Sequence, residues 1–255
     1  MLLLCDVGNT NTIVGLWDGQ GAAHRWRIST DFERTADECR LLLRSMLAEY
    51  AGPVDGGCLS SVVPQRTESW REALSPLIDG RLVVVGPGVK TGIALSVDNP
   101  REVGADRVAN AIGAVRLLGA PVIVVDFGTA TTVDLVGPDG SYRGGAIAPG
   151  LEVSADALVT HTAALRRVEL VAPRSPVGRS TVEAIQSGLI YGYAGLVDGL
   201  VERILAQVEV PVPVVATGGL APIVVAHTRL VKDVEPDLTL MGLAEIFALN
   251  QSGSE

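Results

Sequence analysis

The sequence Asp6-Val7-Gly8-Asn9-Thr10-Asn11-Thr12 returns in closely related form as Asp126-Phe127-Gly128-Thr129-Ala130-Thr131-Thr132. Each copy follows an apolar run, 2–5 in the first case and 122–125 in the second, and each precedes another strand-like run. This pattern predicts a strand, a tight turn and a second strand at both places. Two such copies in one chain indicate two related domains.

The residue types in these turns suit phosphate binding. Gly8 and Gly128 allow a sharp bend and a close approach of the backbone to a ligand, and nearby Thr, Asn and N–H groups can donate to phosphate oxygens. Asp6 and Asp126 each end a buried strand, where a carboxylate can hold a cation or a cation-bound water. A single Asp-x-Gly turn is also a common hairpin signal, so the repetition is what favours a nucleotide held between two domains.

Composition narrows the possible functions. A chain of 255 residues with 47% hydrophobic residues fits one large or two modest domains with a sizeable core. The formal charge of −9 disfavours a nucleic-acid backbone as the main partner. Lysine occurs only at Lys90 and Lys232, neither of them after a Gly-rich loop, and this excludes a Walker-type P-loop.

The cysteines and the hydropathy pattern predict a cytoplasmic protein. Cys5, Cys39 and Cys58 are odd in number and have no close pair, which is typical of reduced thiols. The histidines show no zinc-ligand spacing with them. The apolar start of the chain is too short for a signal peptide, and no segment reaches the roughly 20 apolar residues of a membrane span.

Local signals predict α/β architecture in two strand-led halves. The break is placed at Gly119-Ala120-Pro121, giving domains 1–118 and 119–255, with a terminal helix able to pack back on the first domain. A capping box starting at Thr35 predicts the first helix. The predicted strands are 2–7, 13–17, 24–29, 57–63, 82–85, 122–126, 133–136, 142–147 and 213–217, and the predicted helices 35–50, 105–118, 151–161, 182–207 and 239–250.

Gly104-Ala105-Asp106-Arg107 opens a predicted helix, whose N-terminal end favours anions. Asp106 can simply complement the helix dipole while Arg107 is solvated. Alternatively, Asp106 accepts the proton of a substrate hydroxyl and Arg107 balances charge near a transferring phosphoryl group.

Four further segments each allow a functional and a structural interpretation. Gly144–Gly150 predicts either a close backbone approach to a ligand or a turn into the next helix. Thr217-Gly218-Gly219 suits a planar base or a strand–helix turn, and Thr181, or else Ser180, is most simply a helix cap. The glycines between Gly188 and Gly199 indicate close helix packing, across a dimer interface or within one subunit.

Together these strings resemble the type III pantothenate kinases, in order from residue 1 to about residue 250. The strings that carry the resemblance are Asp6–Thr12, Glu102–Arg107, Val125–Thr132, Gly144–Gly150, Thr181–Gly188 and Ala216–Pro222. The family belongs to the acetate and sugar kinase, Hsp70 and actin superfamily. The resemblance therefore implies an α/β fold of two ribonuclease-H-like domains with an ATP cleft between them.

The resemblance also implies an activity and a set of site residues. The family phosphorylates pantothenate to 4′-phosphopantothenate with ATP and Mg²⁺, needs K⁺ or NH₄⁺, acts as a homodimer and begins coenzyme A synthesis. Asp106 would accept the proton, Asp126 would bind the monovalent cation, and Asp6 would lie near Mg²⁺, directly or through water. The implied ATP-binding residues are Asp6, Val7, Gly8, Asn9, Thr10, Asn11, Thr12, Ile13 and Thr129, and the implied pantothenate-binding residues are Gly104, Ala105, Asp106, Arg107 and Thr181.

One position departs from the family pattern, and two other functions stay open. Many members carry Tyr beside the pantothenate pocket where this chain has Val97.

Another kinase or phosphatase of the superfamily would keep the phosphate turns but has no reason to keep Gly104–Arg107 together with Thr181. A regulatory accessory factor for gene expression is the third hypothesis, and the acidic charge disfavours direct DNA binding by it.

Overall fold

A computed structural model describes residues 1–162 and 165–251 of the chain. The chain divides into two compact units. The first combines Met1–Leu117 with the described residues from Asp237 onward, and the second is Leu118–Pro236. Compared with the predicted limits of 1–118 and 119–255, the first unit ends one residue earlier and also contains the terminal helix.

The first unit is built on a mixed five-stranded sheet in the order β3-β2-β1-β4-β5. Strands β1, β2 and β3 are antiparallel neighbours, whereas β4 and β5 continue the sheet in parallel. The strands are β1 (Leu2–Val7), β2 (Asn11–Trp17), β3 (Ala22–Ser29), β4 (Gly56–Ser61) and β5 (Arg81–Val84).

The second unit repeats this topology with the order β10-β9-β6-β7-β8. Its first three strands again form an antiparallel meander, and β9 and β10 again add in parallel on the other side of the first strand. The strands are β6 (Val122–Phe127), β7 (Ala130–Val136), β8 (Tyr142–Pro149), β9 (Val214–Thr217) and β10 (Asp233–Val234). The repeat seen in the sequence is therefore a repeat of the whole sheet, which confirms the expected α/β fold of two ribonuclease-H-like domains.

Seven α-helices accompany the two sheets in the described part of the chain. The Thr35 capping box is present, because the Thr35 hydroxyl accepts from the Glu38 N–H and the Glu38 carboxylate accepts from the Thr35 N–H. The helices are α1 (Ala36–Met46), α2 (Pro64–Leu74), α3 (Ala105–Leu118), α4 (Leu151–Thr160), α5 (Thr181–Leu205), α6 (Ala221–Val225) and α7 (Leu238–Gln251).

The sheet of the first unit is covered on both faces. Alternate residues of β1 point to opposite sides, so Leu3 packs with residues of α1 and α2, and Leu4 packs with residues of α3 and α7. Helices α3 and α7 approach very closely, since a Cβ atom on Gly242 would lie 1.9 Å from the Ala109 carbonyl oxygen. The C-terminal helix is thus part of the core that supports β1 and β4.

The second unit has one apolar core, formed by β6, β7 and β9 with α4, α5 and α6. Ile123, Val125 and Ile190 are fully buried in it. The 25-residue helix α5 supplies a long buried face to this core. No helix in the described ranges is long and apolar enough to cross a membrane.

Candidate active site

The first repeated turn joins β1 to β2 and is closed by its own backbone. Residues 8–11 lie between the last paired residues of the two strands. The Gly8 N–H donates to the Asn11 carbonyl oxygen at 3.0 Å. A Cβ atom on Gly8 would lie 2.8 Å from that oxygen, so a larger residue here would have to open the turn. Asn9 and Thr10 at the tip are exposed, as a ligand-binding turn requires.

Asp6 precedes this turn at the point where β1 and β4 end together. It is half-buried, and its partner in the strand register is Ser60 of β4. The Ser60 hydroxyl is fully buried and has no hydrogen-bond partner in the described structure. Paired residues of neighbouring parallel strands share one face of the sheet, so a carboxylate and a hydroxyl lie side by side at this edge.

The N-terminus of α3 lies at the same edge of the first sheet. The Gly104 carbonyl oxygen accepts from the Val108 N–H at 3.1 Å, which starts the helix, and Asp106 accepts from the Arg107 N–H at 2.7 Å. Val62, which follows β4, donates its N–H to the carbonyl oxygen of Val7 at 3.0 Å. A Cβ atom on Gly104 would contact the Val62 side chain at 3.5 Å and would clash with the Asp106 carboxylate.

These contacts bring Asp106 to the end of the sheet at which Asp6 and the first turn lie. Asp106 and Arg107 are both half-buried, so the Arg107 side chain is only partly exposed to solvent. The dipole-complementing role of Asp106 is present as well, because the carboxylate accepts a backbone N–H in the first turn of α3. A carboxylate in this position can accept a proton, while the guanidinium and the helix N-terminus beside it favour an anionic substrate.

The second repeated turn joins β6 to β7 and is one residue shorter than the first. The Gly128 N–H donates to the Ala130 carbonyl oxygen at 3.1 Å, and Thr129 at the tip is exposed. Asp126 pairs in register with Thr132 of β7, whose hydroxyl is buried without a hydrogen-bond partner in the described structure. In the first unit the buried hydroxyl beside Asp6 comes instead from the parallel strand β4, whereas Thr132 belongs to the antiparallel strand β7.

Gly218 lies directly against Asp126. Asp126 and Thr217 are register partners in the parallel pair of β6 and β9, and Gly218 follows with a φ of +94°. A Cβ atom on Gly218 would be 2.6 Å from the Asp126 Oδ1 and 2.6 Å from the Phe127 carbonyl oxygen. The predicted turn at Thr217-Gly218-Gly219 therefore also packs against Asp126, and only glycine fits at position 218.

The segment Gly144–Gly150 is mostly a strand and not a turn. Residues up to Pro149 form β8, two residues beyond the predicted end of this strand, and the turn into α4 is confined to Gly150. The Gly150 N–H donates to the Thr129 carbonyl oxygen at 3.0 Å. The Tyr193 hydroxyl of α5 lies 2.7 Å from the Pro149 carbonyl oxygen and 3.0 Å from that of Gly150, and it also contacts Ser154. The end of this segment thus stabilises the second turn through the hydrogen bond from Gly150 to Thr129.

Thr181 is the first residue of α5, and its side chain is exposed. The cap is Ser180, whose hydroxyl accepts from the Glu183 N–H at 3.2 Å. The interpretation of Thr181 as the cap is therefore wrong, because the extended backbone that a cap requires occurs one residue earlier. The Thr181 hydroxyl is not engaged in capping the helix.

The three cysteine thiols lie away from solvent. All three are free and buried. Burial raises the pKa of the Cys58 thiol to about 12, and burial, followed by the negative charge of Asp6, raises the pKa of Cys5 well above its usual value. The raised pKa values favour the protonated thiol at neutral pH, and this disfavours a nucleophilic or metal-binding role for Cys5 and Cys58.

In the described residues, no group of three or more His, Cys, Asp or Glu side chains is arranged to hold a metal ion. Such a group is not required for Mg²⁺, which is usually held by one or two carboxylates together with water and substrate phosphates. Asp6 offers one such carboxylate at the first turn. The donors present therefore fit a nucleotide-bound Mg²⁺ and do not form an all-protein cage.

The type III pantothenate kinase family model matches residues 2–203. A type III pantothenate kinase of Streptomyces griseus is 49% identical over 263 residues, covering 99% of this chain and 99% of the relative. The type III pantothenate kinase of Frankia casuarinae is 49% identical over 251 residues, covering 98% of this chain and 100% of the relative. This chain belongs to the type III pantothenate kinase family. The resemblance found in its motifs is confirmed.

Solved structures of low sequence identity support the fold. A Sinorhizobium meliloti protein assigned as a 2-dehydro-3-deoxygalactonokinase matches with a TM-score of 0.63 at 15% identity, covering 100% of this chain and 98% of that one. A Campylobacter jejuni protein assigned to the Baf family of transcriptional activators matches with a TM-score of 0.61 at 18% identity, covering 97% and 98%. Both show that the type III pantothenate kinase chain shares its architecture with proteins of different assignment.

Within each unit the structure brings together most of the predicted site residues of this type III pantothenate kinase. Asp6–Ile13 and Gly104–Arg107 lie at one end of the first sheet, and Asp126 and Thr129 lie with Gly218 at the corresponding end of the second. Sequence reasoning missed Thr30, which hydrogen bonds to the first turn from the end of β3. No local motif marks Thr30, and only its position opposite the turn reveals it.

Proposed function

We propose that this chain transfers a phosphoryl group from ATP to pantothenate and forms 4′-phosphopantothenate, the first step of coenzyme A biosynthesis. Membership of the type III pantothenate kinase family is the observation that carries the proposal. The position of Asp106 beside the first turn supports it, because a kinase needs a proton acceptor close to its phosphate-binding groups.

Asp106 is assigned as the proton acceptor for the pantothenate hydroxyl. Phosphoryl transfer has a loose transition state, so orientation of the hydroxyl and charge stabilisation matter more than basicity. An alcohol is a far weaker acid than an Asp carboxyl, and the proton therefore moves late, as the new P–O bond forms. Arg107 provides positive charge next to this carboxylate. This charge stabilises the negative charge on the transferring phosphoryl group.

The first turn is assigned to the ATP phosphates. Asp6, Val7, Gly8, Asn9, Thr10, Asn11, Thr12 and Ile13 form this group. Exposed Asn9 and Thr10 supply donors at the tip, whereas Thr12 is fully buried and supports the turn from within. Asp6 would hold Mg²⁺, directly or through water. Bound Mg²⁺ offsets charge on the triphosphate, a task that a P-loop lysine performs in other kinases.

The second turn is assigned to ATP through Thr129 and to a monovalent cation, K⁺ or NH₄⁺, through Asp126. The donors fit a hard cation, because the Asp126 carboxylate is accompanied by the buried, unpartnered hydroxyl of Thr132. Gly218 keeps the adjoining space free of side-chain carbon. A cation there would reduce the cost of burying negative charge beside a nucleotide.

Pantothenate binding is assigned to Gly104–Arg107 and to Thr181. The backbone at the start of α3 presents N–H groups and positive dipole to a carboxylate substrate. Thr181 has an exposed hydroxyl that helix capping does not use. Val97 is half-buried and offers an apolar surface where many family members carry Tyr.

A homodimer is also proposed, with α5 at or near the interface. Cβ atoms placed on Gly188, Gly192 or Gly195 would meet nothing within 4 Å, so this side of the helix has room for a second chain. Val177 and Val182 near its start are 78% and 50% exposed. Exposed apolar and small residues in one region suit a self-complementary interface.

Sedimentation at micromolar concentration should give twice the mass of the chain, and Gly192→Glu should lower it. Gln65→Glu, which adds the same charge at an exposed position of α2, serves as the control. A monomer with full activity would contradict the dimer.

The proposed reaction takes place in the cytoplasm, and neither nucleic acid nor membrane is proposed as a partner.

A coupled ATPase assay tests the function directly. The chain is supplied with Mg–ATP and K⁺, together with pantothenate or with one of a panel of sugars, acetate and other acids. We expect turnover with pantothenate alone and a product of the mass of phosphopantothenate. Turnover only with another acceptor would favour a different kinase of the superfamily, and nucleotide binding without any turnover would favour an accessory factor.

A further inference from the structure

Thr30 lies directly after β3 and contacts the first turn through both its backbone and its side chain. Its N–H donates to the Thr10 carbonyl oxygen at 2.8 Å. Its hydroxyl donates to the Gly8 carbonyl oxygen at 2.7 Å and lies 2.9 Å from the Thr12 hydroxyl. These contacts join the turn to a strand that carries none of the site residues assigned above.

The direction of these hydrogen bonds follows from proton counting. A threonine hydroxyl has one proton to donate. Because Thr30 gives its proton to the Gly8 carbonyl oxygen, Thr12 must be the donor in the hydroxyl–hydroxyl contact. Thr12 is fully buried, so this donor is shielded from water. The chain of bonds therefore runs from Thr12 through Thr30 and ends on the Gly8 carbonyl oxygen.

This arrangement sets the orientation of the peptide that joins Gly8 to Asn9. A trans peptide is planar and places its N–H on the side opposite its carbonyl oxygen. With the Gly8 carbonyl held towards Thr30, the Asn9 N–H faces away from Thr30. Glycine allows a peptide to rotate more freely than other residues do, so this orientation needs an external contact to hold it.

We propose that Thr30 is a positioning residue for ATP, acting through the Gly8–Asn9 peptide. Its hydroxyl keeps the Gly8 carbonyl oxygen turned away from the triphosphate and keeps the Asn9 N–H available to a phosphate oxygen. This inference rests on the proposed role of the first turn in phosphate binding. Thr30 itself touches neither substrate, and its loss should weaken nucleotide binding more than it slows proton transfer to Asp106.

The test compares Thr30→Val with Thr30→Ser in the full chain. Valine has a similar shape but lacks the hydroxyl, whereas serine keeps it. We expect Thr30→Val to raise the KM for ATP about ten-fold, equivalent to ~1.4 kcal/mol, with kcat and the KM for pantothenate little changed. Thr30→Ser should behave like the parent chain.

A matched control removes another threonine hydroxyl of the same unit. The Thr67 hydroxyl donates to the Val63 carbonyl oxygen at 3.3 Å at the start of α2 and not to a residue of the first turn. Thr67→Val should therefore leave the KM for ATP unchanged. If Thr30→Val does not fold, Thr30→Ala and Thr30→Ser carry the same comparison, and equal KM values for that pair would overturn the inference.

Direct titration with Mg–ADP provides a measurement that is independent of turnover. Weaker binding by Thr30→Val than by the parent and by Thr67→Val supports the inference. Equal binding by all three chains would overturn it while leaving the proposed function intact. If the parent chain bound no nucleotide at all, the proposed function and this inference would both fail.

Discussion

Replacing Gly218 by alanine should damage both stability and the second turn. At φ +94° a residue with a Cβ atom is strained by about 1–2 kcal/mol. The new Cβ atom would also lie 2.6 Å from both the Asp126 Oδ1 and the Phe127 carbonyl oxygen, a distance that real Cβ contacts essentially never show. The carbonyl oxygen belongs to a central strand, so it cannot move away without disturbing β6.

Gly140→Ala is the matched control for this prediction. Gly140 has a φ of +75°, but a Cβ atom there would meet nothing within 4 Å. It therefore carries the backbone strain without the clash. The difference between the two variants measures the clash with Asp126 and Phe127, which we expect to add about 1–3 kcal/mol of destabilisation, the usual range for overpacking.

Urea unfolding gives the free energy of both variants, and a K⁺ titration of kinase activity reports on the site. Gly218→Ala should unfold at a clearly lower urea concentration than Gly140→Ala. The clash displaces the Asp126 carboxylate. The Gly218→Ala variant should therefore also need a higher K⁺ concentration than Gly140→Ala for half-maximal activity. Equal unfolding midpoints together with equal K⁺ requirements would refute the proposed contact between Gly218 and Asp126.

Three further predictions concern the chemistry of the site and the thiols. Asp106→Asn should lower kcat by at least about 10²-fold, the lower range for a lost general base. Binding of Mg–ATP, measured by titration, should survive in this variant. Near-normal turnover would show that Asp106 is not the proton acceptor. Replacing K⁺ by Na⁺ should raise the KM for ATP in the parent chain and have little effect in Asp126→Asn, and identical kinetics of the parent in both salts would contradict the cation site. At pH 8 the native chain should react with less than one equivalent of a thiol reagent, because the pKa of Cys58 is raised to about 12 and that of Cys5 is also raised, whereas all three cysteines should react in urea.

Local sequence signals were sufficient for the repeated hairpins and for several helices. Strand β1 and helix α3 lie where the sequence predicts them, over Leu2–Val7 and Ala105–Leu118. Buried strands read as continuous apolar runs, and glycine and proline mark the turns between them, so both signals are contained in a few neighbouring residues. The candidate site residues of the two turns and of Gly104–Arg107 were found for the same reason.

Helix α2 shows where local signals failed. Its sequence is polar, yet it buries Trp70, Leu74 and Arg66, and Pro64 occupies its first turn. Arg66 is 5% exposed and contacts the Phe32 carbonyl oxygen and the Cys39 sulfur, both far from it in sequence. Packing against α1 makes this segment a helix, and such packing is not visible in the pattern of the segment itself.

The sequence by itself determined that the chain has two related halves, where each Gly/Thr-rich turn lies and which family the chain resembles. Only the tertiary structure decided that Gly218 lies against Asp126, that the Gly150 N–H donates to the Thr129 carbonyl oxygen, and that the Thr30 hydroxyl donates to the Gly8 carbonyl oxygen. The physical reason is distance along the chain. A turn motif is a property of adjacent residues, whereas the groups that hold the turn come from strands and helices that only the folded sheet brings beside it.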